Sequence, residues 1–243
     1  MADTVVLSPH LDDAVCSAWT VLRMPGDVRV VNVCAGAPPL GVQGRWDRMT
    51  GAADSRTRLV ERAAEDRAAL ALAGREPVNL EFLDDQYREG PLPARRLRAE
   101  LARAVEGARA VHAPAGLGGH PDHVAVREVA IKLARARGLR LSLYAELPYA
   151  VRFGWPHWVT GSPRRAKLAP EARWEQFLAT ASCPTAELEV RVTPVSETEA
   201  AAKLRALQAY ETQFAALDAG PLERLRHPDV RRWEVSWAWV RPA

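Results

Sequence analysis

Residues 4–13 read "TVVLSPHLDD", an unbroken apolar run that ends in one histidine and two adjacent carboxylates. Apolar runs of this length are typical of strands that are buried on both faces of a parallel sheet. An imidazole and two acids at the edge of a core are costly unless a counter-charge compensates them, and a metal ion is one such counter-charge. The stretch therefore predicts a buried strand that is followed at once by a charged turn.

Strand-like and helix-like segments alternate as far as residue 147. Further strands are predicted at 28–35, 77–83, 108–113 and 139–147. Helical spacing occurs between the strands, at 14–24, 57–74, 94–107 and 124–138. Strands that alternate with helices in this way form a mostly parallel sheet with helices on both faces. We therefore predict an α/β fold of the Rossmann type.

The C-terminal part of the chain is less regular. Its predicted elements are two alternating strands and one long amphipathic helix, at 186–194, 231–240 and 197–220. They are expected to add a strand or two and a long helix to the fold. Because no segment has the composition of a linker, we predict a single domain over 1–243, with a Rossmann-like core at about 4–147 and with 148–243 packed on that core.

The composition is that of an ordinary soluble globular protein, with 48% hydrophobic residues, 26% charged residues and a formal net charge of +3. No basic run with interleaved aromatic residues indicates nucleic-acid binding. No stretch approaches the ~20 apolar residues of a membrane span. Three separated cysteines without CxxC spacing, and an N-terminus that enters a strand at once, favour a cytoplasmic protein with reduced thiols. A homo-oligomer remains open.

A second charged turn, "HPDH" at 120–123, follows the fourth predicted strand. The loops at the carboxyl ends of parallel strands line one common crevice. The turn "PHLDD" at 9–13 and this second turn are therefore expected to meet, although they lie far apart in the chain. The tripeptide "HPD" recurs at 227–229, but Val230 replaces the final histidine, and this copy is predicted to be a surface turn.

The residue types in the two turns suit a divalent metal. His10 and Asp13 lie three residues apart across a tight turn, and His123 would supply a third ligand. Two imidazoles, one carboxylate and a water give the open tetrahedral pattern of catalytic zinc, and Fe(II) suits the same ligands. Zinc lowers the pKa of its water towards ~7 and polarises a carbonyl, as amide hydrolysis at neutral pH requires.

The remaining polar residues of the turns then acquire roles. Asp12 lies beside a ligand and is predicted to take the proton of the water as general base. His120 is predicted to stabilise the developing oxyanion or to donate to the leaving amine. Asp122 is expected to hold His120 in its charged form and in the correct orientation.

The two turns resemble the signature pair of the PIG-L/LmbE-like deacetylases, which remove acyl groups, usually acetyl, from amino sugars and related N-acyl compounds. That family has a "PHPDD" turn near its N-terminus and a later "HPDH"-type turn. The segments 62–74 and 203–213 also look like helices of the family. The resemblance implies a Rossmann-like fold, a mononuclear zinc site with the ligands and catalytic residues named above, and a small-molecule N-acyl substrate such as a sugar or glycoside.

The resemblance also suggests where the substrate binds. Arg62 matches a family arginine that can reach into the pocket, and Asp85 follows the third strand at the same rim. An ordinary ion pair of the helix and a carboxylate of the turn are the alternative roles of these two residues. Trp46, in the Gly- and Pro-rich loop 36–56, is expected either to stack on a sugar ring or to anchor that loop. Some relatives carry, at the position of Gly118, a tyrosine that helps at the carbonyl oxygen. In this chain that role is expected to be absent or to be filled by another segment, for which the candidates are Tyr87, Tyr144 and Tyr149.

Other functions are compatible with parts of this pattern. The same site would serve an amidase that removes a larger acyl group or acts on a thiol conjugate. A two-metal phosphoesterase would need further acids, for which Asp84 and Asp85 are the candidates. A non-catalytic sugar-binding module would not depend on Asp12. Nucleotide binding is disfavoured, because "GLGG" at 116–119 is not GxGxxG and two carboxylates at the first helix would repel a pyrophosphate.

Overall fold

The computed structural model describes residues 3–163, 167–220 and 225–240, and its strands form one seven-stranded sheet. The strands are β1 (Thr4–Ser8), β2 (Val28–Asn32), β3 (Pro77–Asn79), β4 (Ala110–Pro114), β5 (Arg140–Tyr144), β6 (Leu188–Pro194) and β7 (Trp233–Trp239). Their order across the sheet is β3-β2-β1-β4-β5-β7-β6. Both the predicted core and the C-terminal part thus contribute strands to the same sheet.

The pairing within the sheet confirms the predicted α/β fold. The first five strands are parallel to one another, whereas β7 is antiparallel to β5 and β6 is antiparallel to β7. The chain builds outward from β1 in one direction to β3 and then in the other direction through β4 to β5. The carboxyl ends of β1 and β4 therefore flank the point at which the strand order reverses, where open α/β sheets bind their ligands.

Helices connect the strands and cover the sheet. They are α1 (Asp13–Ser17), α2 (Trp19–Leu22), α3 (Arg45–Met49), α4 (Ser55–Ala71), α5 (Ala94–Ala104), α6 (Pro121–Arg137), α7 (His157–Thr160), α8 (Pro170–Leu178), α9 (Glu197–Gln208), α10 (Phe214–Leu217) and α11 (Pro228–Arg231). Three short 3₁₀ turns lie at Asp85–Tyr87, Tyr149–Val151 and Thr185–Glu187. Helix α9 packs against α1 and α4, while α5 packs against α6. Within the described residues, no helix is both long and apolar enough to cross a membrane.

Several predicted elements are shorter in the structure. The third strand was expected over 77–83, but it ends at Asn79, and the second ends at Asn32 rather than at residue 35. Beyond these strands the chain packs closely on itself, because a Cβ at Gly36 would lie 2.9 Å from the backbone of Glu81. The strands therefore give way to loops at the edge of the sheet where the site is expected.

The single helix predicted over 197–220 is wrong. Helix α9 ends at Gln208 and α10 begins only at Phe214. In the intervening turn, the backbone N–H and the hydroxyl of Thr212 donate to the carboxylate of Glu65, at 2.7 and 2.8 Å. These bonds to α4 replace the helical hydrogen bonds that an uninterrupted helix would have made, so tertiary contacts override the helical periodicity.

A buried charge joins three of the elements. The predicted helix 14–24 breaks at Ala18, and the carboxylate of Glu234 accepts hydrogen bonds from the backbone N–H groups of Trp19 and Thr20, at 2.8 and 2.9 Å. The same carboxylate is 2.6 Å from the fully buried ammonium of Lys203. Glu234 on β7 therefore satisfies the start of α2 and compensates a charge on α9.

We expect Lys203→Met to lower the free energy of unfolding by about 3–5 kcal/mol, because it leaves the buried carboxylate of Glu234 without its cation. Urea unfolding monitored by circular dichroism measures this change. Lys132→Met, on the exposed face of α6, is the matched control and should change stability little. Equal stabilities of the two variants would show that the Lys203 pair does not hold these elements together.

Candidate metal centre and substrate pocket

The first turn is shaped by its own polar residues. The hydroxyl of Ser8, the last residue of β1, donates to the carbonyl of His10 and accepts from the N–H of Ala14, at 2.7 and 3.0 Å. Asp13 begins α1, and its Oδ2 accepts a hydrogen bond of 2.8 Å from the N–H of His10. These bonds wind the chain back on itself, so that the side chains of His10 and Asp13 lie on the same side of the turn.

The second turn is a helix start. His120 precedes α6 and its Nδ1 accepts a hydrogen bond of 3.3 Å from the N–H of Asp122, while Pro121 occupies the first position of the helix. Proline is well suited to this position because its missing N–H would have no partner there. The turn places His123 in the first turn of α6, where it is completely buried.

Three donor atoms from the two turns meet at one point. His10 Nδ1 lies 3.2 Å from His123 Nε2, and Asp13 Oδ2 lies 3.3 Å from each of these nitrogens. Zinc bonds of about 2.0–2.1 Å at tetrahedral angles would separate neighbouring ligand atoms by about 3.3 Å. The triangle formed by His10, Asp13 and His123 therefore has the dimensions of one face of a tetrahedral metal site.

The outer nitrogens of both histidines are held by buried acids. His10 Nε2 lies 3.1 Å from Asp122 Oδ2, and His123 Nδ1 lies 3.1 Å from Glu146 Oε1. An acid on the far nitrogen fixes the ring and directs the lone pair of the near nitrogen towards a metal. Each histidine of the triangle is thus oriented by its own carboxylate.

Glu146 was not among the predicted site residues. It follows β5, is completely buried, and also accepts hydrogen bonds from the N–H groups of Gly116 and Leu117, at 2.6 and 3.2 Å. The available signal was an acid placed directly after a buried parallel strand, at the same edge of the sheet as the two turns. One carboxylate therefore ties β5, the glycine turn after β4 and His123 together.

Asp122 contacts a different histidine from the one expected. Its Oδ2 lies 4.0 Å from His120 Nδ1, too far for a hydrogen bond, and its two oxygens are used instead by His10, by the guanidinium of Arg88 and by the N–H of Asp85. The reason is geometric: the N–H of Asp122 already occupies His120 Nδ1 at the helix start. Asp122 is thus a neighbour of the metal triangle rather than a support for His120.

The electrostatics of the triangle favour a cation. Although burial opposes the shift, the carboxylates of Asp13 and Glu146 raise the pKa of His123 to about 9. Burial likewise opposes the rise in the pKa of His10, which is driven by Asp84, Asp122 and Asp13. The acids that stabilise positive charge on these rings would stabilise a divalent ion between them.

Asp12 and His120 flank the triangle without being part of it. Burial, and then the neighbouring Asp13, raise the pKa of Asp12 above its ordinary value. Burial lowers the pKa of His120 to about 4, so this imidazole is neutral at neutral pH and not charged as expected. Because its Nδ1 accepts a hydrogen bond, the ring proton of neutral His120 is on Nε2.

Asp12 and His120 line a cavity of about 590 Å³, together with His10 and Asp13. All three predicted substrate-binding residues, Arg62, Asp85 and Trp46, line the same cavity. Trp46 is fixed there, since its indole N–H donates to Gln213 and its backbone N–H donates to Gln86 at 3.0 Å. Gln213 was not among the predicted site residues, because it was assigned to the interior of a long helix.

Only one of the three candidate tyrosines reaches the cavity. Tyr87 donates to Asp47 and Tyr144 donates to the carbonyl of Leu7, so both hydroxyls are used elsewhere. Tyr149 lines the cavity, and its ring centroid lies 5.5 Å from that of His123. A Cβ at Gly118 would come within 2.8 Å of the Tyr149 ring, so the glycine leaves the space that this ring fills.

The comparisons with known proteins agree with this geometry. The family model PIG-L, described as GlcNAc-PI de-N-acetylase, matches residues 5–134, a segment that contains both turns. The chain belongs to the PIG-L family. A search of curated proteins found no significant match.

Solved structures resemble this PIG-L protein over nearly its whole length. The A40926 pseudoaglycone deacetylase Dbv21 is 27% identical, with a TM-score of 0.72 over 100% of this chain and 98% of its own. A deacetylase–bog complex from the biosynthesis pathway of teicoplanin is 25% identical, with a TM-score of 0.72 over 98% of each chain. The zinc-inhibited form of teicoplanin deacetylase Orf2 is 23% identical, with a TM-score of 0.76 over 98% of each chain, and this likeness shows the fold alone.

These matches confirm the predicted relationship and the predicted chemistry. The PIG-L protein is a hydrolase that removes an acyl group from nitrogen, as the family and the deacetylase neighbours indicate. Its converging donor atoms fit the metal cofactor expected of such an enzyme.

Asp66 is a further buried acid, one turn along α4 from Arg62. The carboxylate of Asp66 accepts hydrogen bonds from the hydroxyl of Tyr210 and from the amide of Asn32, at 2.7 and 2.6 Å. Burial nevertheless dominates and raises the pKa of Asp66 to about 7. The residue therefore carries a proton in the folded protein at a pH at which it is ionised in the unfolded chain.

Asp66→Asn should make stability less dependent on pH. A raised pKa means that wild-type stability falls as the pH rises from about 4 to about 7, by up to roughly 4 kcal/mol, and then stays level. The Asn variant lacks this loss and should gain on the wild type over that interval in urea unfolding at a series of pH values. Glu76→Gln, at an exposed position, shows how much of the change comes from removing any carboxylate. A constant difference between Asp66→Asn and the wild type would contradict the shifted pKa.

Proposed function

We propose that the protein is a zinc-dependent N-deacetylase that acts on an N-acylated amino sugar or a related small-molecule amide. The observation that carries the proposal is the triangle of His10, Asp13 and His123, whose three donor atoms lie 3.2–3.3 Å apart beside an open cavity. These residues would hold the ion with three protein ligands and leave a coordination position for water or substrate. When bound, zinc supplies a Lewis acid for the acyl carbonyl and lowers the pKa of a water molecule.

Asp12 is the proposed general base. It is buried beside the triangle, lines the cavity, and its raised pKa brings it closer to the pH at which proton transfer is efficient. Its carboxylate takes the proton of the attacking water. Neutral His120 donates a hydrogen bond from Nε2–H to the acyl oxygen as negative charge develops there.

We propose that Asp12, rather than His120, protonates the leaving amine. Neutral His120 carries a single ring proton. If it gave this proton to the amine it would become an imidazolate anion, which the nearby carboxylates would disfavour. Protonated Asp12, having accepted the proton of the water, can instead pass that proton to the nitrogen as the C–N bond breaks. Asp12 is therefore proposed to shuttle the proton, and His120 to remain a hydrogen-bond donor.

The substrate pocket supports an amino-sugar substrate. Arg62, Asp85 and Trp46 offer a cation, an acceptor and a flat aromatic face around one cavity. Two of the solved relatives are deacetylases of a pseudoaglycone and of a teicoplanin pathway, which favours an amino sugar attached to a larger scaffold. Removal of a longer acyl group by the same residues is the nearest alternative.

A two-metal phosphoesterase is not favoured. Asp84 lies 3.8 Å from the guanidinium of Arg62, and Asp85 lies 3.5 Å from that of Arg88. Both candidate ligands for a second metal are thus compensated by arginine instead.

Asp12→Asn should abolish most of the activity while leaving the metal bound. We expect the rate of amine release from N-acetylated sugars to fall by about a hundredfold or more, since this is the usual contribution of a general base. Elemental analysis should still find about one zinc per chain, because Asp12 is outside the triangle. Asp27→Asn, an exposed acid before β2, is the matched control.

Two results would contradict the proposal. Full amine release by Asp12→Asn would remove the proposed base, and two metal ions per chain in the wild type would favour the phosphoesterase. A screen of N-acetylated sugars and longer N-acyl conjugates with the zinc-loaded protein identifies the acyl group. Reconstitution with Fe(II) in the same assay tests whether zinc is the active ion.

Glu146→Gln should weaken metal binding. The amide keeps the size of the side chain but loses the charge that orients His123, and removing such a partner typically costs about 10–100-fold in metal affinity. Competition with a chromophoric chelator measures the affinity for zinc directly and does not depend on turnover. Glu128→Gln, on the part-exposed side of α6, is the control. Unchanged affinity in Glu146→Gln would show that His123 is held without this acid.

A further inference from the structure

We infer that two copies of the chain associate through β6, whose free edges pair antiparallel about a two-fold axis at Val190. β6 is the last strand at one end of the sheet, and within the described residues it pairs only with β7. β3, at the other end, has three residues and begins with a proline, whereas β6 has seven residues and Val190 is 46% exposed. A long exposed edge strand presents unpaired backbone N–H and C=O groups to a further strand. β6 contributes none of the described residues that line the substrate cavity, so this surface is separate from the proposed reaction.

The pairing of β6 with β7 determines which backbone groups point to the free edge. The N–H of Val240 donates to the carbonyl of Glu187 at 2.8 Å, so the odd-numbered residues of the antiparallel ladder exchange hydrogen bonds with β7. Because the direction alternates along a strand, the N–H and C=O groups of Leu188, Val190 and Val192 point away from β7. The N–H of Leu188 is already used by the preceding 3₁₀ turn. The carbonyl of Leu188 and both backbone groups of Val190 and Val192 are therefore directed towards a further strand.

A second copy of β6 matches these groups. With the two-fold axis at Val190, this residue lies opposite Val190 of the partner subunit, and the two exchange a pair of hydrogen bonds. The N–H of Val192 donates to the carbonyl of Leu188 of the partner subunit, and the symmetry repeats this bond on the other side of the axis. Pro194 has no N–H to donate, so the paired segment is limited to the five residues Leu188–Val192.

The charges of this segment are complementary to themselves. Residues 188–192 read "LEVRV", and an axis at Val190 places Glu189 opposite Arg191 of the partner subunit, and Arg191 opposite Glu189 of the partner subunit. These are positions without hydrogen bonds, where the Cα atoms of facing residues are about 4.5 Å apart and opposite charges stabilise the pair. Within one chain the two side chains are both exposed and lie 3.4 Å apart on the same face. The dimer therefore extends a weak surface ion pair into a network of four alternating charges.

The same charges select one register among the neighbouring ones. An axis at Glu189 would put two carboxylates directly opposite each other, and an axis at Arg191 would do the same with two guanidinium groups. An axis between two residues would place outward backbone groups opposite groups that face β7. Charged side chains usually protect an edge strand from association. In β6 they leave one register open to a second copy of the strand.

The other face of the segment is apolar. Leu188 and Val192 are partly buried against the core, and Val190 is paired with Trp237 of β7. In the dimer the two copies of Val190 meet at the axis and cover each other, while Leu188 faces Val192 of the partner subunit. Permanent dimers generally bury more surface than five paired residues per chain provide. We therefore expect an association that depends on protein concentration.

Charge reversal combined with mixing tests the inference. In sedimentation velocity, the wild type should shift from the mass of one chain, 26.7 kDa, towards twice that mass as its concentration rises. Glu189→Arg and Arg191→Glu should each weaken this association by about tenfold or more, because each places like charges opposite each other at two positions. An equimolar mixture of the two variants should associate again, since every facing pair then has opposite charges. Arg205→Glu, at an exposed position on α9, is the matched control and should behave as the wild type.

Hydrogen exchange of individual amides, followed by NMR, tests the backbone pairing. Exchange of the outward N–H of Val190 should become slower as the concentration rises, whereas that of Glu189, which faces β7, should change less. A wild type that keeps the mass of one chain at every concentration would overturn the inference. So would a dimer that neither charge reversal weakens, a mixture that does not restore association, or a dimer in which the Val190 amide exchanges as fast as in the single chain.

Discussion

The rest of the site depends on one constraint: three side-chain atoms that each carry a lone pair must lie close together. His10, Asp13 and His123 bring two imidazole nitrogens and a carboxylate oxygen within 3.3 Å of one another in a buried place. Such an arrangement is stable only if positive charge lies between the donors, as protons or as a metal ion. Asp122 and Glu146 hold the far sides of the two rings, so the rings cannot turn away from each other.

The fold makes this approach possible because strand order, not sequence distance, decides which loops are neighbours. β1 and β4 are adjacent in the sheet, and each ends in a turn that starts a helix. The first turns of α1 and α6 therefore face each other across the reversal of strand order. The cavity walls come from further away, from the loop that carries Trp46 and from the turn that carries Gln213, which hydrogen-bond to each other.

The two charged turns could be predicted from the sequence, because each follows a buried strand at the same edge of the sheet. "PHLDD" and "HPDH" could be placed at strand ends because buried strands precede them, and the structure brings their donor atoms together. The second "HPD" shows the limit of motif reading. His227 accepts a hydrogen bond of 3.3 Å from the N–H of Asp229, the same helix start that His120 makes, yet it lies exposed before α11. Glu146 and the break after Gln208 were missed because both depend on partners from distant segments, which periodicity does not contain.

The strand order also constrains the order in which the strands can pair while the chain is being synthesised. β7 follows β6 in the chain, yet it lies between β5 and β6 in the sheet, with partners on both sides. The parallel core β1–β5 can assemble as soon as it has been synthesised, but β6 has no edge to join until β7 is available. Glu234, the counter-ion of Lys203, arrives with that same strand. The addition of β7 and β6 to the sheet is therefore a late step in biosynthesis. Until then β5 is an unpaired edge strand on which other chains could pair.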